Sequence, residues 1–189
     1  MNGRYLRLLG APRVESGTRD MPRFRSQRTV ALLGYLATER RPVARDFLSA
    51  LFWPDEPATT ARANLRRELH NLSRILPDCW ETDRLAVQFA PNANTAVDLV
   101  DFQRFEQSGQ WVAAAALVRG HFLEGLALDD NAEVESWLLS ERERWRERAE
   151  RVMTRVIHTH TQQADFNAAL EMAHQLLQLA PGMKRPTAT

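Results

Sequence analysis

The chain has 189 residues, 44% of them hydrophobic and 26% charged, with few glycines and prolines, which fits one large or two small globular domains and argues against extensive disorder. Its one cysteine, Cys79, cannot form an internal disulfide, no apolar run approaches the roughly 20 residues that span a bilayer, and the first residues lack the pattern of a secretory signal, so a cytoplasmic protein away from membranes is expected. The net charge of +1 hides an asymmetry: residues 1–97 carry 15 basic side chains against 10 acidic, and residues 98–189 carry 10 against 14, which suggests nucleic acid as partner of the first part and something else as partner of the second.

In chain order, residues 5–14 are short, apolar-rich and broken by Gly10 and Pro12, and read as a strand or a tight pair of strands. Phe24 between Arg23 and Arg25 suggests another short strand. Residues 28–38 cluster their apolar side chains as a buried helix does, stopped by Pro42, and residues 43–53 form a second, shorter helix ended by Trp53-Pro54. Residues 54–60 are a loop in which Asp55, Thr59 and Thr60 are cap candidates for a third helix running from Ala58 to about Leu76. Residues 80–89 read as a hairpin around Asp83-Arg84, with Cys79 and Trp80 as wall residues at its foot, and residues 91–95 as a polar linker. From Asp98 onward the pattern is wholly helical. Asp98 can cap a helix to about Gln107, followed by an alanine-rich helix over 110–118, a loop over 119–131 and a long helix over 132–163. A turn at Ala164-Asp165 and a last helix over 166–179, ended by Pro181-Gly182, complete the chain.

The third helix carries the chemistry. At 100° per residue, Ala61, Leu65, Leu69, Leu72 and Leu76 share one face, which packs inward. Arg62, Arg66, His70 and Arg74 form an i, i+4 ladder on the other side, with Thr60, Arg67 and Asn71 beside it and Glu68 near the apolar edge. A major groove about 12 Å wide admits one helix, where arginine pairs with guanine and asparagine with adenine through two hydrogen bonds each. Arginines nearer the helix edge can pair with phosphates. The order helix, short helix, loop, basic helix, hairpin is that of a winged helix-turn-helix, in which Arg84 at the hairpin tip reaches the backbone or minor groove.

Several strings carry a family resemblance: Arg7-Leu8-Leu9-Gly10, Ala31-Leu32-Leu33-Gly34-Tyr35-Leu36-Ala37, Arg41-Pro42-Val43, Leu51-Phe52-Trp53-Pro54-Asp55 and Ala61-Arg62-Ala63-Asn64-Leu65-Arg66. It continues through Asp98, Phe102, Trp111, Ala114-Ala115-Ala116-Leu117, Leu123-Glu124-Gly125-Leu126, Trp137 and Glu141-Arg142. Over nearly its whole length the chain resembles the antibiotic-regulatory-protein class of bacterial activators, which join an OmpR-type winged helix to a bacterial transcriptional activator domain. The resemblance implies a third helix that enters the major groove of direct repeats and a protein that recruits RNA polymerase. The last two helices follow the spacing of a tetratricopeptide (TPR) repeat through Ala164, Phe166, Ala169, Leu170, Ala173, Leu176, Leu177 and Pro181. One repeat cannot bury its own apolar face, so it must stack on the preceding helices or on a partner. The family's helical domain continues further, so the resemblance implies a shortened one here.

The dense charge run over 141–155 reads as a solvated helix face, with Glu141–Arg144 and Glu147–Arg151 as supporting pairs and Trp145 and Val152 on an inner stripe. His158 and His160 point about 200° apart on a helix and do not share a metal ion. His121 and His174 are isolated and read as exposed. Phosphate loops, dinucleotide turns and paired cysteines are missing from the sequence, and no constellation supports catalysis, so a non-enzyme without cofactor or metal is expected.

The expected fold is mainly α with a small β component. It comprises a winged-helix DNA-binding domain over residues 1–97, an all-α TPR-like domain over 98–182 and a frayed tail over 183–189. Double-stranded DNA is expected to meet Thr60, Arg62, Arg66, Arg67, His70, Asn71, Arg74 and Arg84, with Arg25, Arg28 and Arg45 as weaker phosphate contacts. RNA polymerase, another protein or a second copy of the chain would meet the helical part. The competing reading is a protein-interaction module that does not bind DNA.

Overall fold

The computed structural model describes residues 3–16 and 24–179, so Arg23, the end of the last helix at Pro181-Gly182 and the tail over 183–189 lie outside the described residues. The fold is mainly helical with two small sheets. Strands β1 (Arg4–Arg7) and β2 (Arg13–Ser16) form an antiparallel pair, the second of the alternatives for this stretch. Phe24 and Arg25 form no strand. Ser26 begins the next helix at once, its hydroxyl accepting the Thr29 N–H, which leaves Phe24 only a packing role against the core. Helix α1 (Gln27–Glu39) is buried along most of its length, as its unbroken apolar run requires.

The second helix is shorter than its pattern suggests. Val43–Ala44 is a strand, β3, and helix α2 covers Arg45–Phe52. Helix α3 (Ala58–Ile75) follows, with Ala61, Leu65, Leu69, Leu72 and Ile75 buried. Its cap position is Pro57, and no side chain caps it. Asp55 therefore does not serve as the cap, and Thr59 and Thr60 lie within the first turn. Strands β4 (Trp80–Thr82) and β5 (Ala86–Phe89) make the expected hairpin, and β3 adds to it in the order β3-β5-β4. That pairing ties the start of α2 to the hairpin. Residues 91–95 are not a free linker, because Thr95 begins strand β6 (Thr95–Val97), which runs parallel to β1 and closes a sheet of order β2-β1-β6.

Helix α4 (Asp98–Gln107) starts where expected but is not capped by Asp98. That carboxylate is fully buried, and its Oδ2 accepts the backbone N–H groups of Leu8 and Leu9 at 2.7 and 2.8 Å. The next helix, α5, is only Trp111–Ala115. The loop over 119–131 then clasps the N-terminal segment: Leu9 bridges Phe122, the Leu123 N–H donates to the Leu8 carbonyl, and the Gly10 N–H donates to the His121 carbonyl. Helix α6 (Ala132–Gln162) is capped by the Asn131 side chain, and α7 (Phe166–Leu177) by Asp165. α6 and α7 pack against each other.

One apolar core runs through both halves of the chain. Gly34 of α1 lets Leu123 approach, the Tyr35 ring lies 5.2 Å from Trp137, and Phe122 packs edge-on against Trp137 and stacks on Trp145. Trp145 and Val152 are core, as their stripe implies. Of the two expected pairs on α6, Glu141–Arg144 forms, while Arg151 lies beside Glu106 of α4. Arg148 also pairs with Glu106, so this part of the charge run pins α6 to α4. His121 is half-buried and His174 exposed. Cys79 is fully buried, its thiol near the Thr95 hydroxyl. Among the described residues no helix is long and apolar enough to cross a membrane.

Candidate nucleic-acid interface

The burial of α3 separates two faces. The Leu65, Leu69 and Leu72 side packs inward, and Thr60, Arg62, Arg66, Arg67, His70 and Arg74 are all exposed on the rest. Glu68 stays off the basic ladder for a specific reason. Its carboxylate accepts the Thr29 hydroxyl of α1 at 2.6 Å, so it is spent on packing α3 against α1. Asn71 is half-buried, and its amide is turned toward the same carboxylate at 3.5 Å. It is therefore less free than the ladder residues.

The individual arginines differ in their engagement. Arg62 donates from Nε to Asp46 of α2 at 2.8 Å, an exposed pair of the kind worth about 0–1 kcal/mol and easily exchanged for a phosphate. Arg67 donates to the Asn64 side chain at 2.9 Å. Among the described residues Arg66, Arg74 and Arg84 have no carboxylate partner.

The hairpin meets α3 at a concave recess of about 370 Å³ lined by Arg45, Asp46, Arg62, Leu65, Arg66, Asp83 and Arg84. Four guanidinium groups thus face two carboxylates. One of these, Asp83, is already committed: its Oδ1 accepts the N–H groups of Leu85 and Ala86, each at 2.7 Å. The Ala86 and Leu85 amides hold the Asp83 carboxyl below the usual aspartate range. Arg45 is half-buried and donates from Nε to the Asp83 carbonyl at 3.0 Å, so it braces the turn at the hairpin tip as well as lining the recess.

Two expected phosphate contacts fall elsewhere. Arg28 donates to Asp130 at 2.7 Å and lies over the Trp53 ring, joining α1 to the loop before α6. Arg25 is exposed just before the α1 cap, outside the lining of the recess. The sequence reading overlooked Asp46, the partner of Arg62, and the turn-locking role of Asp83. An aspartate that opens a tight turn, with its carboxylate within reach of the N–H two residues on, is itself a signal for that role.

A second recess, of about 560 Å³, lies between α2, the loop leading to α3 and the first turn of α6. Phe47, Trp53 and Pro54 line it together with Asp46, Glu56 and Glu133. It shares Asp46 and Arg62 with the basic recess.

Compared with the models of known protein families and with curated protein sequences, the chain matches none of them.

Proposed function

We propose that the chain is a sequence-specific DNA-binding transcriptional regulator of the antibiotic-regulatory-protein class. In this reading residues 1–97 are an OmpR-type winged helix, with α3 as the recognition helix and the β4–β5 hairpin as the wing. Residues 98–182 are a TPR-like activator domain that recruits RNA polymerase in the cytoplasm.

The observation that carries the reading is the continuity of one exposed arginine surface from α3 to the hairpin tip. Arg62, Arg66 and Arg84 line one recess, and Arg67, His70 and Arg74 extend it along the helix. The second part of the chain covers none of these residues with carboxylates among the described contacts. A recognition helix seated in a major groove, with an arginine-bearing tip beside it on the phosphate ridge, uses this arrangement as it stands. The recess at Phe47 and Glu133 draws on both halves of the chain and offers a polymerase subunit an acidic and aromatic surface next to the DNA.

The test is selection of bound sequences from a random duplex pool by the full chain, at low and at moderate salt. A recurring motif that survives the higher salt is expected, with a log–log salt slope of about 0.9 per phosphate neutralised. Binding that shows no sequence preference, and that a polyanion displaces completely, refutes the reading in favour of a protein-interaction module.

A further inference from the structure

The hairpin tip carries a residue that arginine–phosphate contacts do not account for. Leu85 is 79% exposed, beside Arg84. A lone exposed leucine is ordinary on a protein surface. This one is the most exposed large hydrophobic side chain among the described residues, and its backbone is fixed although it stands at a turn. The Leu85 N–H donates to Asp83 Oδ1 at 2.7 Å, and its carbonyl accepts the Arg45 N–H at 2.8 Å. The Asp83 N–H donates to the Ala86 carbonyl, and Arg45 Nε donates to the Asp83 carbonyl. A tip meant only to scatter positive charge needs no such lock. Here an isobutyl group is held in water, with the loss of backbone freedom already met before any ligand arrives.

We propose that Leu85 contacts the deoxyribose walls of the minor groove and makes the protein select against guanine–cytosine pairs beneath the tip, with Asp83 and Arg45 as positioning residues. This rests on the reading of α3 as the helix in the major groove. An element beside that helix meets the phosphate ridge and then the adjacent minor groove. An apolar side chain gains nothing from phosphate, and the apolar surfaces of a duplex are thymine methyls in the major groove and sugar walls in the minor one. On the minor-groove floor, guanine alone presents an amino group, N2. That group obstructs a leucine and loses hydration beneath it.

The experiment uses the full chain and a duplex obtained by the selection described above. The base pairs under the hairpin tip are located by footprinting and then varied among A·T, G·C and inosine·cytosine. Inosine keeps the N7 and O6 of guanine in the major groove and lacks N2. The A·T and inosine·cytosine duplexes are expected to bind alike, and the G·C duplex about fivefold or more weakly, within the range of a single mismatched pair. Leu85→Ser is expected to bring the three duplexes to within about twofold of one another while leaving the bases read by α3 unchanged. Asp83→Ala, which frees the turn, is expected to blunt the preference in the same way. Equal binding of G·C and inosine·cytosine by the wild type, or an unchanged preference in Leu85→Ser, overturns the inference and leaves the α3 reading standing. Failure to select any duplex overturns both.

Discussion

The Asn131 side chain donates from Nδ2 to the Leu51 backbone carbonyl at 2.8 Å while its Oδ1 accepts the Val134 N–H at 3.0 Å. One buried amide therefore closes the C-terminal end of α2 and the N-terminal end of α6. Leu51 lies just before the loop that leads into α3, so the helical half is seated on the helix that supports the arginine face. Arg28–Asp130 and Tyr35–Trp137 flank the same seam.

Asn131→Ala removes a helix cap and leaves a buried carbonyl without its donor, which together cost about 2–4 kcal/mol. Asn131→Asp keeps the cap but sets a buried carboxylate against the Leu51 carbonyl, so at neutral pH it is expected to cost at least as much as the alanine variant. Urea unfolding of both variants checks the order. Because the core is continuous, far-ultraviolet circular dichroism and tryptophan fluorescence are expected to report one coincident transition in the wild type. Two separated transitions contradict the shared core.

Asp98 links the N-terminal segment to α4 and also makes stability depend on pH. Burial pushes its carboxyl up to about 6, against the pull of the Leu9 and Leu8 amides. A carboxyl whose folded value lies above its unfolded one stabilises the fold while protonated. This contribution is complete below the unfolded value of 3.8 and is lost as the pH rises through about 6. The loss amounts to something on the order of 3 kcal/mol. Asp98→Asn cannot ionise, so the difference in urea midpoint between variant and wild type is expected to grow in favour of the variant from pH 4 to pH 7. A difference that stays constant over this window shows that Asp98 is not the responsible group.

Gly34 sits in the middle of α1, where alanine is intrinsically better by about 1 kcal/mol. A methyl group there would lie 2.4 Å from Leu123 Cδ1. Leu123 has no room to turn away: it is fully buried, and Arg142 donates to its carbonyl and to those of Phe122 and Leu126. Overpacking of this kind costs about 1–3 kcal/mol, so Gly34→Ala is expected to lower the thermal midpoint. A raised midpoint shows that the Leu123 loop yields.

The elements that were legible in the sequence are those whose signal is local. The stripe of Leu65, Leu69 and Leu72 marks α3, and the apolar run over 28–38 marks α1. The turn residues at Asp83-Arg84 mark the hairpin. What stayed hidden depends on partners far along the chain. Val43–Ala44 is a strand only because Val87 and Ala86 lie opposite it. Thr95–Val97 is a strand only because β1 offers a parallel edge. Asp98 has the residue type and position of a cap, but Leu8 and Leu9 take up its carboxylate from about ninety residues away. At the candidate interface the arginine ladder was legible, whereas Arg28 was drawn off by Asp130 and Asn71 by Glu68. Helical periodicity says which face a residue occupies and not which distant carboxylate it meets.

The central claim is that the exposed side of α3 reads bases, and Arg66 tests it most directly, being exposed, without a carboxylate partner among the described residues, and part of the recess shared with the hairpin. The measurement is the fluorescence anisotropy of the full chain on its selected duplex and on a scrambled one, for the wild type and Arg66→Ala. The account predicts a loss of about 1–3 kcal/mol on the selected duplex with little change on the scrambled one, as expected for an arginine paired with guanine. Equal affinity of the variant and the wild type for the selected duplex contradicts it.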